Sequence, residues 1–253
     1  MVTAYNEREH ADGVEGMIRM AVRDGTPRQR YRDQVRAEIK QAALAQIASG
    51  GAAALSLNAV AKQLGVTGPA LYKYFRNRDD LLTELISDGY DSAAAAVRAA
   101  AGAAAGRSPR ERLHALAAAY REWAVTAPHL YHLLAGTPSP DYAAPPETLD
   151  RARAALGPFL AVVAHGVRPP EAEGLTAQME RWAAENAPVA TWVRAHTQEG
   201  DPATALAGAV VVWSRLHGVV SLEVQGQFDG MGHRPATLME AEIEAFATAW
   251  NLP

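Results

Sequence analysis

Apolar positions recur at three-to-four spacing along most of the chain, the period of a helix that buries one face. The first clear run starts at Tyr31. Val35, Ile39, Ala42 or Ala43, and Ile47 fall on one stripe, and Gly50-Gly51 stops it. Ser56 can cap a short second helix that turns Val60 and Leu64 inward and ends at Gly65. Thr67 can cap a third, with Pro69 in its first turn, where a missing N–H costs little. Asn77 can cap a fourth, with Asp79 and Asp80 well placed at its positive end. That helix buries Leu81 or Leu82, Leu85 and Ile86 and can run on through AAAAVRAAAGAAAG.

Beyond Ser108-Pro109 the spacing predicts helices near 110–126, 128–135, 147–167, 172–184, 187–197, 202–228 and 235–250. Pro-rich breaks such as TPSPDYAAPP separate several of them. Sustained period-two alternation does not occur in this part. Val210-Val211-Val212 and Val219-Val220 are β-branched, but they sit in an unbroken pattern of about 27 residues, too long for a strand. The fold class is therefore all-α. Residues 1–30 read as a polar N-terminal arm, with a short amphipathic helix possible around Val14, Met17, Ile18 and Val22. Residues 31–80 form a first helical domain and 81–253 a second.

A chain of 253 residues can bury a substantial core without staples. It has no cysteine, which excludes a disulfide framework, a thiol nucleophile and a cysteine-ligated zinc. No apolar run approaches the roughly 18 residues of a membrane span, and the first twenty residues lack a signal-peptide core. The expectation is a soluble, cytoplasmic protein with no membrane partner. Charge sharpens the picture. The total is −4, yet residues 28–78 carry nine Lys or Arg against Asp33 and Glu38, a local +7. Residues 1–27 (three basic, five acidic) sum to −2, and 79–253 (twelve basic, 21 acidic) to −9. Such a split points to a nucleic-acid or membrane contact made by the basic part alone.

A helix of about eight residues, a short turn containing Gly, and a second helix have the spacing of a helix-turn-helix, whose second helix enters the major groove. Here it coincides with the basic segment. The residues Arg32–Leu85, with AVAKQLGV and ALYKYFRNRDDLL, resemble the DNA-binding domain of the tetracycline-repressor (TetR) family of bacterial regulators. Downstream, WSRLHGVVSLEVQGQF is similar to a Trp…His-Gly helix found in one branch of that family. The resemblance implies a homodimer that binds a double-stranded DNA operator and is released by a small-molecule effector, usually as a repressor. It implies that Leu71 and Phe75 pin the recognition helix. Tyr72, Tyr74, Lys73 and Arg78 fall at phosphate-contacting positions, and Thr67 is both cap and first contact. Ser56, at the start of the preceding helix, joins this set. Gly68 and Pro69 face the groove and offer no side-chain hydrogen bond, so base reading passes to Thr67, Tyr72, Lys73, an apolar touch from Pro69, and DNA shape. Arg28 and Arg30 could enter the minor groove as part of the arm.

The C-terminal part holds Tyr120, Trp123, Phe159, Met179, Trp182, Trp192 and Trp213 among many Ala, Leu and Val. With a family that carries an apolar pocket, Trp123, Phe159, Trp182 and Trp213 become its candidate walls. His217 shares a helical face with Trp213. It is either a buried histidine bonded to a neighbouring carbonyl or a polar anchor for the effector. His129 and His132 have the i, i+3 spacing of a metal pair, but no third ligand is evident, and no cofactor is expected. The chain carries no Gly-x-Ser-x-Gly elbow, phosphate loop or His-Glu-x-x-His, so catalysis is not indicated. The surviving alternative is a DNA-binding architectural protein or constitutive regulator without effector. Residues 202–228 and 235–250 read as the dimer seam, with Leu206, Val210, Trp213, Leu216 or His217, Val220 and Val224 on one helix and Leu238, Ile243, Phe246 and Trp250 on the other. Gly218, inside a long apolar helix, predicts close approach of another backbone.

Overall fold

The computed structural model describes residues 26–136, 142–198 and 200–253. The proposed amphipathic stretch around Val14, Met17, Ile18 and Val22 lies outside them. Among the described residues there are eleven α-helices and no strand. Four belong to a small head: α1 (Pro27–Gly50), α2 (Leu57–Gln63), α3 (Gly68–Leu71) and the start of α4 (Arg78–Ala103). The larger body contains the rest of α4, α5 (Pro109–Thr126), α6 (Pro128–Ala135), α7 (Glu147–Val163), α8 (Glu173–Glu185), α9 (Ala187–His196), α10 (Pro202–Val224) and α11 (Pro235–Ala249).

Local chemistry sets these ends. Ser56 Oγ accepts from Ala59 N (3.4 Å) and Asn77 Oδ1 from Asp80 N (2.8 Å), so both predicted caps form. Gly51 and Gly65 stand at φ 73° and 67°, the left-handed backbone that ends α1 and makes the α2–α3 turn. The arm boundary moves. Thr26 accepts from Gln29 N (3.3 Å) and Pro27 opens α1, so Arg28 and Arg30 lie on the first turn of a helix and not on an arm.

The head's core is made by Ile39, Ala43, Ile47, Val60, Ala61, Leu71 and Phe75, closed by Leu81, Leu82, Leu85 and Ile86 of α4. The expected boundary after residue 80 thus cuts through the first turn of α4. The head extends to Ile86, because those four side chains cannot leave its core without exposing it. Leu133 of α6 is buried in the same core.

The body wraps α10 in α5, α7, α8 and α11. By length and composition α10 is apolar enough to cross a membrane, with a mean hydropathy of 1.5 in its most apolar window, contrary to the expectation from the sequence. Half of that window is buried inside the fold, as in the central helix of a globular core. Gly208, on α10, is where neighbouring side chains press against the helix backbone. A Cβ there would collide with Val163 and stand 3.0 Å from the Trp250 ring. Gly218 behaves otherwise: it is exposed and a Cβ there would meet nothing within 4 Å, so the close approach expected at Gly218 does not occur within the chain.

The seam expectation is corrected in the same way. Leu206, Leu216, Val220, Ile243, Phe246 and Trp250 are all buried within one chain, because that face of α10 and α11 is the body's own core. Only the opposite faces remain available to a partner.

Candidate functional site

Two places gather the predicted residues. The first is the outer surface of α2–α3. Helix α3 has only four α-helical residues, followed by a turn in which Tyr74 N (2.9 Å) and Phe75 N (3.3 Å) both donate to Leu71 O. Leu71 and Phe75, both fully buried, anchor it from below. Above, Thr67, Pro69, Tyr72 and Lys73 are exposed, and Gly68 lies between them, half-buried. Thr67 takes the cap geometry of α3 but makes no side-chain capping bond, so its hydroxyl is not committed to its own helix. An alanine Cβ at position 68 would stand 3.7 Å from Asn58 Oδ1, an ordinary contact, so no packing inside the chain demands the glycine.

The basic residues divide into two groups. Arg36 donates to Tyr74 O (2.7 Å), pairs with Glu84 (2.8 Å) and lies 4.4 Å over the Phe75 ring. Lys40 pairs with Asp88 (2.6 Å), and Arg76 with Asp80 (3.3 Å). Arg78 turns inward: its Nη2 donates to Ala52 O (2.7 Å) and its Nε to Leu55 O (3.1 Å), tying the loop after α1 to the start of α4. Its guanidinium therefore holds backbone, where the resemblance implied phosphate. Tyr74 is half-buried against the head's core and Ser56 caps α2. Arg28, Arg30, Arg32, Lys62 and Lys73 are exposed, and no carboxylate pairs with them among the described residues. Those five carry the head's uncompensated charge.

The second place is a cavity of about 770 Å³ in the body, bounded by α4, α5, α6, α7, α8, α9 and α10. Trp182, Trp213 and His217 line it as expected. Trp123 and Phe159 do not. Phe159 is fully buried in the core behind the cavity, and Trp123 donates its indole N–H to Ser92 Oγ (3.1 Å) on α4. Their places are taken by Tyr90, Tyr120 and Trp192. Helical spacing alone could not separate a core ring from a wall ring, since both lie on inward faces.

The His217 ring meets two tyrosine hydroxyls and, among the described residues, no backbone carbonyl. Its Nε2 lies 3.2 Å from the Tyr120 hydroxyl and its Nδ1 3.0 Å from that of Tyr131. Burial pushes its pKa down to about 4, so the ring is neutral at pH 7. A neutral imidazole has one N–H and one bare nitrogen. One phenol must therefore donate to the ring and the other accept from it, a directed relay. Burial likewise pushes Tyr131 up to about 12 and Tyr120 above its ordinary value, so both hydroxyls keep their protons. Trp213 stacks edge-on to His217 at 4.4 Å between centroids. His129 and His132 stand elsewhere, on α6, and no group of three metal-ligating side chains forms among the described residues.

Relatives agree with this geometry. The family model described as bacterial regulatory proteins, tetR family, matches residues 39–85, and the tetracyclin repressor-like C-terminal domain model matches residues 113–246. The chain belongs to the TetR family. It is a DNA-binding helix-turn-helix transcriptional regulator. The HTH-type transcriptional regulator Rv1816 of Mycobacterium tuberculosis is 35% identical over 202 residues, 78% of this chain and 83% of that protein. The crystal structure of the candidate regulatory protein SCO4313 is 44% identical, with a TM-score of 0.71 over 88% of this chain and 100% of that one. FadR of Bacillus subtilis, solved in complex with stearoyl-CoA, shares the fold at 14% identity, with a TM-score of 0.52 over 84% of this chain and 97% of that one. Family membership places the helix-turn-helix in the head and a TetR-type C-terminal domain around the cavity.

Proposed function

We propose that this TetR-family regulator is a cytoplasmic repressor, bound as a homodimer to a palindromic operator and released by a small, mostly apolar effector held in the body cavity. The observation that carries the reading is the position of α6. Leu133 is buried in the head's core, the next residue Leu134 lines the cavity, and Tyr131 reaches the His217 relay. A ligand that displaces α6 or Tyr90 on α4 must disturb the packing of the head. At the DNA, Thr67, Tyr72 and Lys73 are the reading side chains, with Pro69 as an apolar contact and the helix-borne Arg28 and Arg30 reaching the flanking backbone. Gly68 lets the duplex approach α3 closely, Ser56 adds a backbone contact at the start of α2, and Tyr74 and Arg78 hold the reading surface from behind.

The effector fits a body with aromatic surface, set against Trp182, Trp192 and Trp213, and one or two hydrogen-bonding groups. Because both His217 nitrogens are engaged, the polar contact falls to the tyrosine hydroxyls and to Asn186. The dimer forms through the outward faces of α10 and α11, where Gly218, Leu222, Ala241 and Ala245 are exposed.

Selection of bound duplexes from a random pool, followed by titration of the selected DNA with candidate ligands, tests this. The expected result is an inverted repeat whose affinity drops when an apolar ligand saturates the cavity. By linkage the ligand must bind free protein more tightly than DNA-bound protein by the same factor, typically 1–3 kcal/mol. Weak sequence preference and no ligand response would favour an architectural or constitutive DNA-binding role.

A further inference from the structure

A second groove, of about 880 Å³, runs along the body on the other side of Arg153 and Trp192, between α4, α5, α7 and α9. Its chemistry differs from that of the first cavity. Three arginines line it, Arg98, Arg112 and Arg153, against one acidic residue, Asp150. Asp150 is engaged by Arg153, whose Nη1 donates to it at 2.8 Å. Arg98 and Arg112 have no carboxylate or carbonyl partner for their side chains among the described residues. The Nε of Arg112 is fully buried and lacks an acceptor there. The remaining walls are apolar: alanines of α4, α7 and α9, Pro158, Pro188 and the Trp192 indole. His196 closes one end; its Nδ1 faces Trp192 O at 2.9 Å and its Nε2 rests on Gly157.

From this geometry we propose that the groove is a binding site for an organic anion with a flat apolar body, separate from the effector cavity. The charge balance selects the occupant. Two unpaired cations beside one neutralised pair attract an anion, and a guanidinium matches a carboxylate or sulfonate through parallel N–H donors. The small alanine and proline walls leave room for a ring that the Trp192 indole can face. A neutral apolar ligand would leave Arg98 and Arg112 unanswered, and an inorganic anion would leave the apolar wall uncovered. Arg153 and Trp192 line both spaces, so occupation of one bears directly on a wall of the other.

Naphthoate and its uncharged counterpart naphthamide, titrated calorimetrically into the full-length protein without DNA, provide the test. Naphthoate should bind once per chain, about tenfold or more tighter than naphthamide, the difference expected of one charge-assisted hydrogen bond. Arg98→Gln and Arg112→Gln should each weaken naphthoate by a similar factor and leave naphthamide unchanged. Arg98 is exposed, so its variant keeps the fold even if the Arg112 variant loses stability. Trp213→Ala, in the first cavity only, should leave naphthoate binding intact. Equal affinity for the two compounds, no saturable binding to the parent protein, unaffected arginine variants, or loss of binding in Trp213→Ala would each overturn the assignment. The readout involves no DNA, so its failure leaves the regulatory reading where it stands.

Discussion

His217 shows how one side chain ties stability to pH. Its folded pKa, near 4, lies below its ordinary 6.5 because burial disfavours the charged ring. The unfolded chain therefore takes up a proton first on acidification. The stabilisation is complete above about pH 6.5 and is lost as pH falls toward 4, with a ceiling of about 3 kcal/mol. Chemical denaturation at a series of pH values should show that loss in the parent protein and a flatter profile in His217→Gln. An equally steep profile in the variant would assign the acid sensitivity to other groups. The two glycines of α10 give a second contrast. Gly208→Ala should destabilise by about 1–3 kcal/mol, since its new methyl meets Val163 and the Trp250 ring. Gly218→Ala meets nothing within the chain and should stabilise the monomer by up to about 1 kcal/mol through helix propensity. Opposite shifts in melting temperature check the pair.

At the level of elements, the head depends on a helix too short to stand alone. Four α-helical residues in α3 give little intrinsic helicity, and its position comes from Leu71 and Phe75 beneath and from Arg36 bonded to Tyr74 O. Arg78 does the same for the loop after α1. Arg78→Ala leaves the carbonyls of Ala52 and Leu55 without their cationic donor and should cost about 2 kcal/mol. Lys73→Ala removes an exposed side chain and should leave melting unchanged. On DNA the expectation reverses. Lys73→Ala should weaken operator and non-operator duplexes by a similar factor if Lys73 meets phosphate; a loss about 1–3 kcal/mol larger on the operator would show that it reads a base. Melting curves and anisotropy titrations of both variants separate the roles. Helix α6 bridges the two cores, because Leu133 is buried in the head while the adjacent Leu134 packs on both head and body and lines the cavity.

For the molecule as a whole, charge and assembly make the sharpest expectations. In the proposed complex, the five exposed basic residues that have no carboxylate partner among the described residues set the phosphate footprint more closely than the formal +7 does. The logarithm of the binding constant should fall with that of salt concentration at a slope of several units, about 0.9 per phosphate neutralised, and Lys62→Ala should reduce it by about one. A slope near zero would remove the basic segment from the interface. A dimer of the proposed kind must use what the fold leaves outside. Leu222, exposed on α10, should sit at the centre of a two-fold contact with Gly218 and the outer alanines of α11. Leu222→Arg is expected to give monomers in sedimentation at an unchanged melting profile of secondary structure. An unaltered dimer would move the seam elsewhere.

The sequence alone determined whatever depends on neighbours along the chain. Helical period, the caps Ser56 and Asn77, the turn at Gly65, the inward Leu71 and Phe75, and the local excess of basic charge all follow from residues within one or two turns of each other, where propensity and capping act. Tertiary structure decided every question about what lies opposite an inward face. An apolar stripe reads the same whether it meets core, cavity or a second subunit. So Trp123 and Phe159 proved to be core while Tyr90 and Trp192 became walls, and Leu206, Leu216, Val220, Ile243, Phe246 and Trp250 of the predicted seam lie in the body's own interior. The same limit governs polar groups. Arg78 and Arg36 differ from Lys73 only in having acceptors within reach, and those acceptors lie 23 to 48 residues away in sequence. His217 finds Tyr120 and Tyr131 at separations of 97 and 86 residues. Contacts at such distances are set by how helices pack, which no local pattern records.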